Sequence, residues 1–341
     1  MLNTVYRLVE PRRFEAQFTD IDISKDAVLV RPTHLSICHA DQRYYQGTRS
    51  KEILAQKLPM ALIHEAIGRV EYDPEGEFEA GTYVVMVPNT PYETDPYIGE
   101  NYLRSSKFRG SGFDGFMQDY VAMRRDRLVV LPEGINLNVA AFTEIVSVSY
   151  HAISRFIKFS HERRERIGIW GDGNLAFITS LLLKKMLPDA EVLIFGVDSR
   201  KMQDFVFADG TYDIAQIPDG LTFDHAFECV GNAASGNAIN QIIDYIKPEG
   251  TISILGVSEN PVPINTRMVL EKGLRIFGSS RSSSEDFKGT IELYRENRDI
   301  QEYFERLICD VIPVRTIADM NSAFDSDIRK PGGKTIMIWE K

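Results

Sequence analysis

The sequence contains few cysteines, and this shortage excludes one class of protein. Its 341 residues include only Cys38, Cys229 and Cys309, which are too few and too scattered for a disulfide framework. We therefore expect all three thiols to be reduced, and each to be either buried or used. A chain of this length is expected to form two domains with enough core for a stable globule.

Basic residues and long apolar runs are also scarce. Lys and Arg number 39 against 49 Asp and Glu. This balance argues against a broad surface for phosphate backbones, and so against nucleic acid as the main partner. No run of 18 apolar residues occurs, and the first residues lack the apolar core of a signal peptide. We therefore expect a cytoplasmic protein that has no membrane association.

The two halves of the chain carry different patterns. Short β-forming runs separated by turns predict a β-rich domain over residues 1–147, with a long polar and aromatic loop at 89–115. From residue 167 strands alternate with helices, which is typical of a doubly wound parallel sheet in an α/β fold. We place this cofactor-binding domain at residues 148–282. Residues 283–341 are expected to return to the first domain and to end in a strand.

A glycine motif follows the first strand of the second half. Gly171 and Gly173, with Ala176 in the third place of G-x-G-x-x-G/A, predict a tight turn. The backbone there can approach a pyrophosphate at the start of a helix, where Asn174 and Leu175 lie. An ordinary strand-to-helix turn explains the glycines alone equally well. The flanking strands and the apolar helix favour a dinucleotide site.

The end of the next strand bears on the choice of cofactor. Asp198 is placed to accept hydrogen bonds from an adenosine ribose and would favour NAD(H). Directly after it, Ser199, Arg200 and Lys201 offer a hydroxyl and two cations that can hold the 2′-phosphate of NADP(H). The alternative is that the two cations lie on the solvated start of a helix.

Four candidate metal ligands, Cys38, His64, Glu65 and Glu144, precede the cofactor domain. A thiolate, an imidazole and carboxylates suit Zn²⁺, and ligands from distant segments are typical of a catalytic site. Taken singly, they are better explained as a buried cysteine, a core histidine and solvated glutamates. His64 and Glu65 can both reach one ion only if the backbone is turned. Glu65 is therefore a candidate fourth ligand that yields to water or substrate.

Together with their neighbours, these residues resemble the zinc-dependent medium-chain alcohol and polyol dehydrogenases. Residues 38–41 (Cys-His-Ala-Asp) are similar to the family's C-x-x-D, and residues 64–70 to its H-E-x-x-G-x-V. Glu144 is similar to a glutamate that polyol dehydrogenases place ahead of the cofactor domain. The resemblance implies a GroES-like catalytic domain, a Rossmann cofactor domain and catalytic Zn²⁺. It also implies that Asp41 supports the metal site and that Gly231 belongs to the cofactor site.

Within that family the chain is most similar to the ribulose-5-phosphate reductases of bacterial ribitol-phosphate polymer synthesis. This resemblance implies NADPH-dependent reduction of D-ribulose 5-phosphate to D-ribitol 5-phosphate for CDP-ribitol and teichoic acid or capsule. It further implies a homodimer whose functional partner is a ribitol-5-phosphate cytidylyltransferase. Arg104, Lys107 and Arg109 in the long loop are candidates for the substrate phosphate, with His39 and Arg43 as competitors.

Three departures from the family pattern shape these expectations. Residues 89–115 lack the four cysteines with which many relatives hold a structural zinc, so we expect one zinc. Ile63 stands where relatives usually carry glycine. Ala40 stands where relatives carry a hydroxyl that relays the proton, so another group must do so, such as Glu65, a water on the zinc or a substrate hydroxyl.

Two other functions stay open at this level. One is a zinc polyol dehydrogenase that oxidises an unphosphorylated sugar alcohol such as sorbitol. The other is a dinucleotide-binding sensor or scaffold without catalysis, which loss of Cys38, His64 or Glu144 would have favoured.

Overall fold

The computed structural model describes residues 1–23 and 27–341, which form two compact units. The first unit comprises residues 1–147 and 282–341, and the second comprises residues 148–281. Ser282, which we expected at the end of the cofactor-binding domain, groups instead with the first unit. The reason is local, since its hydroxyl lies 2.7 Å from that of Ser147.

The first segment is rich in strands, as expected. In chain order it contains β1 (Leu2–Glu10), β2 (Arg13–Asp20), β3 (Ala27–Ser36), α1 (His39–Tyr45), α2 (Lys51–Lys57), β4 (Met60–Ala61), β5 (Glu65–Tyr72), β6 (Tyr83–Met86), β7 (Asn89–Thr90), β8 (Lys107–Phe108), β9 (Val121–Arg124), β10 (Leu128–Val130) and α3 (Leu137–Ala140). β9 begins only at Val121, although the β-forming character of the sequence starts at Phe116. Before it, Phe116 N and Met117 N donate to the carbonyls of Ile63 and Leu62 instead of joining a ladder.

The rest of the chain alternates helices and strands. α4 (Thr143–Phe159) carries the chain into the second unit, which contains β11 (Arg166–Trp170), α5 (Asn174–Met186), β12 (Glu191–Gly196), α6 (Ser199–Met202), β13 (Gly210–Asp213), β14 (Phe223–Glu228), α7 (Ser235–Tyr245), β15 (Ile246–Ile254), α8 (Thr266–Glu271) and β16 (Arg275–Gly278). The final segment contains α9 (Ser284–Glu296), α10 (Ile300–Glu305), β17 (Ile308–Val314), α11 (Ile317–Arg329) and β18 (Lys334–Trp339).

The second unit is built on one six-stranded parallel sheet, which confirms the α/β prediction. Its strand order is β13-β12-β11-β14-β15-β16. The order reverses between β11 and β14, and ligands of such sheets bind at the carboxyl ends of strands at that point. β13 was not predicted, because residues 210–213 form a short edge strand with little apolar character.

The first unit contains a three-stranded antiparallel sheet, β2-β1-β4, and a larger sheet in the order β10-β6-β5-β3-β18-β17. β9 also pairs with β3. The last strand, β18, runs antiparallel to β3, with Ile336 opposite Ser36. The C-terminal segment thus completes the sheet from which Cys38 emerges. Within residues 1–23 and 27–341, no helix combines the length and the apolar character needed to traverse a bilayer.

The cysteine-free loop at 89–115 is held in the first unit by a charged clamp. The guanidinium of Arg127 donates to both carboxylate oxygens of Glu100, at 2.6 and 3.2 Å, and its side chain is only 4% exposed. Glu100 Oε1 also accepts from the backbone N of Ser284 at 2.8 Å. One carboxylate therefore joins the loop to the turn that precedes β10 and to α9, which are distant in sequence.

We expect Glu100→Gln to lower the free energy of unfolding by about 1.5–3 kcal/mol, because it leaves the buried Arg127 charge without its bidentate partner. The measurement is denaturant unfolding followed by tryptophan fluorescence. The control is Glu292→Gln, which removes an exposed carboxylate paired with Arg295 and should change stability by less than about 0.5 kcal/mol. Equal effects of the two substitutions would contradict the clamp.

Candidate active site and cofactor site

Three side chains with metal-binding atoms converge where β3 ends and β5 begins. The donor atoms of Cys38, His64 and Glu65 all lie within 4.8 Å of one another. Glu65 opens β5 opposite Ser36, two residues before Cys38. The structure therefore brings three of the four predicted ligands together from two distant segments.

A strained residue turns the chain ahead of this cluster. Ile63 has φ +71°, in the left-handed region that β-branched residues rarely adopt. Strain of this kind costs roughly 1–3 kcal/mol and persists only where the surroundings enforce it. Here Ile63 N donates to Asp41 Oδ1 at 2.9 Å, and Ile63 O accepts from Phe116 N at 2.8 Å. The turn supplies the bend that adjacent His64 and Glu65 need to reach one point.

Asp41 ties the two ligand-bearing segments together. It sits in the first turn of α1 and is fully buried. Its Oδ2 accepts from Cys38 N at 3.1 Å, and its Oδ1 lies 3.6 Å from His64 Nδ1. With the bond from Ile63 N, the carboxylate holds the backbone on both sides of the cluster and orients the imidazole.

Glu144 is the second residue of α4 and is also buried. It lies outside the tight triplet, yet it belongs to the same electrostatic environment. Burial raises its pKa to about 7, while His64 opposes the rise and Glu65 adds to it. Two buried carboxylates and a thiol that face one imidazole create a site in which a bound cation would be stabilising.

The thiol and the imidazole influence each other. Burial raises the pKa of Cys38, and His64 opposes that rise. Burial acts to lower the pKa of His64, but Asp41 and Cys38 together raise it well above its ordinary value. The donor set of sulfur, nitrogen and carboxylate oxygen fits Zn²⁺.

Sequence reasoning missed Lys334, which opens β18. Its ammonium lies 2.8 Å from Glu65 Oε1 and 2.7 Å from Oε2, and it donates to Ile37 O at 3.1 Å. Both side chains are buried, so Lys334 compensates the charge of Glu65. The only signal in the sequence was a lysine opening an otherwise apolar strand. A buried ion pair of this kind depends on sheet pairing that the sequence does not display.

Of the cations in the loop at 89–115, Arg109 is committed to the interior. Its guanidinium lies 4.8 Å from the ring centroid of Phe113 and 5.6 Å from that of Phe116. It donates to the carbonyls of Asp114 and Ala122, and burial lowers its pKa to about 10. This placement argues against the predicted phosphate-binding role for Arg109.

In the second unit, the glycine turn lies between β11 and α5. Gly171 has φ +127°, and a Cβ there would lie 3.2 Å from the backbone of Cys229. Gly173 caps α5 and has open space where a Cβ would stand. Asn174, Leu175 and Ala176 form the first turn of α5. The helix start is thus accessible to an anionic group.

Two aspartates organise the end of β12. Asp172, between the two glycines, accepts from Val197 N and Asp198 N, both at 2.8 Å. Asp198 caps α6 by accepting from Arg200 N at 3.0 Å, and its Oδ1 lies 3.4 Å from Arg200 Nε. The Arg200 side chain pairs with Asp198, which lowers the pKa of that carboxyl. Ser199 and Lys201 lie on the same short helix.

An apolar cavity of about 420 Å³ adjoins this turn, lined in part by Gly171, Val197, Val230 and Gln241. Trp170 stacks on Phe195 beside it, with ring centroids 3.9 Å apart. Such a slot at the switch point of the sheet fits a flat heteroaromatic ring.

Glu228, which sequence reasoning did not single out, fixes the other wall of this cleft. Its buried Oε1 accepts from Val230 N at 2.9 Å and from Gly231 N at 2.8 Å, and Oε2 accepts from Gly256 N at 3.2 Å. Gly231 has φ +70°, so glycine is favoured there. One carboxylate therefore sets the loops that follow β14 and β15.

Comparison with known proteins agrees with this geometry. The zinc-binding dehydrogenase family matches residues 197–296, and the alcohol dehydrogenase GroES-like domain matches residues 24–133. The chain is 54% identical to ribulose-5-phosphate reductase of Bacillus spizizenii over 100% of both chains. It is 53% identical to ribulose-5-phosphate reductase 1 of Staphylococcus aureus over 99% of both chains.

The fold also matches solved structures. The crystal structure of S. aureus TarJ in complex with NADPH superposes with a TM-score of 0.90, at 48% identity over 100% of both chains. The predicted combination of a GroES-like domain and a Rossmann domain is confirmed. With whole-length relatives above half identity, the chain belongs to the zinc-binding medium-chain dehydrogenase family.

Proposed function

We propose that the protein reduces D-ribulose 5-phosphate to D-ribitol 5-phosphate with NADPH, and that the product feeds CDP-ribitol and teichoic acid or capsule synthesis. The observation that carries this proposal is the 54% identity, over the full length of both chains, to a ribulose-5-phosphate reductase. The candidate metal ligands and the glycine turn are both present in this chain. Their presence argues for catalysis and against a sensor that only binds dinucleotide.

In this proposal Cys38, His64 and Glu144 hold one zinc ion, and Glu65 is a fourth donor that gives way to substrate. Convergence of the Cys38, His64 and Glu65 donor atoms supports the set. The ion pair with Lys334 would stabilise the charge of Glu65 even where that carboxylate did not ligate the metal. Bound Zn²⁺ supplies a Lewis acid that polarises the ketone oxygen. Asp41 keeps the His64 ring and the Cys38 backbone in place while substrate exchanges.

The reaction adds a hydride from NADPH to the carbonyl carbon and a proton to the oxygen, which yields the alcohol and NADP⁺. Ala40 has no hydroxyl to deliver that proton. The proposal assigns delivery to water or to a hydroxyl of the substrate, with Glu65 as the candidate relay. The buried setting of the donor cluster limits access of bulk water.

The cofactor is proposed to bind along Gly171, Gly173 and the first turn of α5, Asn174 to Ala176, with Gly231 on the opposite loop. Arg200 and Lys201 then hold the 2′-phosphate. The contact between Arg200 and Asp198 supports this choice, because it offsets the negative charge that would otherwise repel a phosphate. The homodimer, the cytidylyltransferase partner and the cytoplasmic location remain predictions.

The decisive assay follows NADPH consumption with D-ribulose 5-phosphate against D-ribulose. We expect kcat/KM to be at least about tenfold higher for the phosphorylated ketose, since a charge-assisted contact contributes roughly 1.5–3 kcal/mol. Equal efficiency on the two ketoses would instead favour a dehydrogenase of unphosphorylated polyols.

The metal assignment predicts one zinc per chain in the desalted protein, measured by elemental mass spectrometry. Cys38→Ala and His64→Ala should each lose most of it, because each removes one of the three protein ligands that a catalytic zinc site needs. The control is Cys309→Ala, which removes an exposed thiol and should retain the metal. Two equivalents of zinc in the unmodified protein would contradict the assignment.

The cofactor assignment predicts that Arg200→Ala combined with Lys201→Ala raises KM for NADPH by about tenfold or more, with little change for NADH. The reason is that only NADPH carries the 2′-phosphate. Arg267→Ala, which removes an exposed cation paired with Glu271, serves as the matched control in the same unit. A parallel rise in KM for both cofactors would show that the two cations act on something else.

A further inference from the structure

Two arginines and a histidine lie on α1 and on the loop that follows it, immediately after Cys38. His39 and Arg43 are four residues apart on α1, so they lie on the same face of the helix. Arg49 follows α1 by four residues, and its guanidinium carbon lies 4.9 Å from the ring centroid of Tyr44. We call His39, Arg43 and Arg49 the α1 cation cluster.

The members of this cluster are close enough to repel one another. Burial and then the nearby Arg49 lower the pKa of Arg43. Like charges held together in a partly buried place are stabilised when an anion binds.

The cluster stands on a rigid support. Tyr44 and Tyr45 of α1 are buried, and Tyr45 stacks on Phe324 of α11 at 4.7 Å. Gln42 donates to Phe324 O at 2.9 Å, while Asp41 ties the first turn of α1 to the metal-type donors. The cations are therefore preorganised relative to Cys38, which lowers the entropy lost when a ligand is bound.

The spacing suits a short phosphorylated sugar. Arg43 is five residues beyond Cys38, which corresponds to about 7.5 Å along a helix axis. In a 2-keto pentose 5-phosphate, three carbon–carbon bonds of about 1.5 Å, one carbon–oxygen bond and one oxygen–phosphorus bond separate the carbonyl carbon from the phosphorus atom. Together they span roughly 5–7 Å. A ketone at the donor cluster can therefore place its phosphate within reach of a long arginine side chain.

We propose that Arg43 and Arg49 bind the phosphate monoester of the substrate and so set the preference for phosphorylated over free ketoses. This inference rests on the proposed function and adds the residues that recognise the substrate. Two planar guanidinium groups can each hold two phosphate oxygens, which a solvated lysine cannot match. His39 flanks the pair. The loop at 89–115 is the weaker candidate because the buried guanidinium of its Arg109 already donates to the backbone carbonyls of Asp114 and Ala122.

The test uses the zinc-loaded enzyme with NADPH and the variants Arg43→Gln and Arg49→Gln. Each should lower kcat/KM for D-ribulose 5-phosphate by about 10-fold to 100-fold and leave kcat/KM for D-ribulose within about twofold. The matched control is Arg13→Gln, an exposed arginine on the β1–β2 hairpin that pairs with Glu10 and Glu15. It should change neither value.

A second readout separates recognition from folding. Calorimetric titration of D-ribitol 5-phosphate into the NADPH complex, which cannot transfer hydride to an alcohol, should show a matching loss of affinity in both variants, while their thermal midpoints stay near that of the parent protein. Arg49→Lys keeps the charge but not the planar fork. It should restore only part of the affinity.

The outcomes distinguish this inference from the function on which it rests. If the parent protein treats ribulose and ribulose 5-phosphate alike, the proposed function itself fails. If the parent discriminates but both variants keep that discrimination, the phosphate site is wrong. A rise in KM for NADPH with unchanged substrate preference would assign the cluster to a cofactor phosphate and overturn the proposal. If Lys107→Gln lowers kcat/KM for D-ribulose 5-phosphate while Arg43→Gln and Arg49→Gln do not, the proposal is likewise overturned. The phosphate site would then lie in the loop at 89–115.

Discussion

The cluster of candidate metal ligands, Cys38, His64 and Glu65, depends on the carboxylate of Asp41. Cys38 and His64 come from segments that share no helix or strand, and the bonds from Asp41 to Cys38 N and Ile63 N hold those segments at a fixed separation. A buried carboxylate is stabilising only when its oxygens are satisfied, and here each has a backbone donor. The left-handed Ile63 persists because this bond and the Phe116 bond to its carbonyl leave the chain no relaxed alternative.

In the second unit, too, carboxylates that accept backbone hydrogen bonds hold the loops in place. Asp172 fixes the turn after β12, and Glu228 fixes the loops after β14 and β15, in each case by accepting backbone N–H groups. Such loops carry the groups that face a dinucleotide at the switch point of the sheet. Because a carboxylate accepts several N–H bonds at once, one side chain can set the shape of two loops. Substitution at these positions would alter binding without touching the ligand.

Charge compensation in the first unit comes from far along the chain. Lys334 reaches Glu65 because β18 pairs with β3, and Glu100 accepts from Ser284 N because α9 returns to the same unit. The C-terminal segment thus completes the sheet and also neutralises a carboxylate in the donor cluster. In the loop at 89–115, an ion pair and a hydrogen bond from Glu100 link the loop to the rest of the unit.

The sequence alone determined the α/β class, the glycine turn and three metal-binding side chains that the structure brings together, Cys38, His64 and Glu65. Those features depend on residue type and on short-range periodicity, which are visible along a single chain. The sequence did not reveal the roles of Lys334, Glu228 and Arg109, and it did not reveal the edge strand β13. These depend on which segments pair across the sheets, because a buried lysine or carboxylate is identifiable only by its partner.

The sequence marked Arg109 as a phosphate ligand because of its charge, whereas packing against Phe113 and Phe116 turned that charge inward. Charge is a property of the residue, but the direction in which it points is decided only by the tertiary structure.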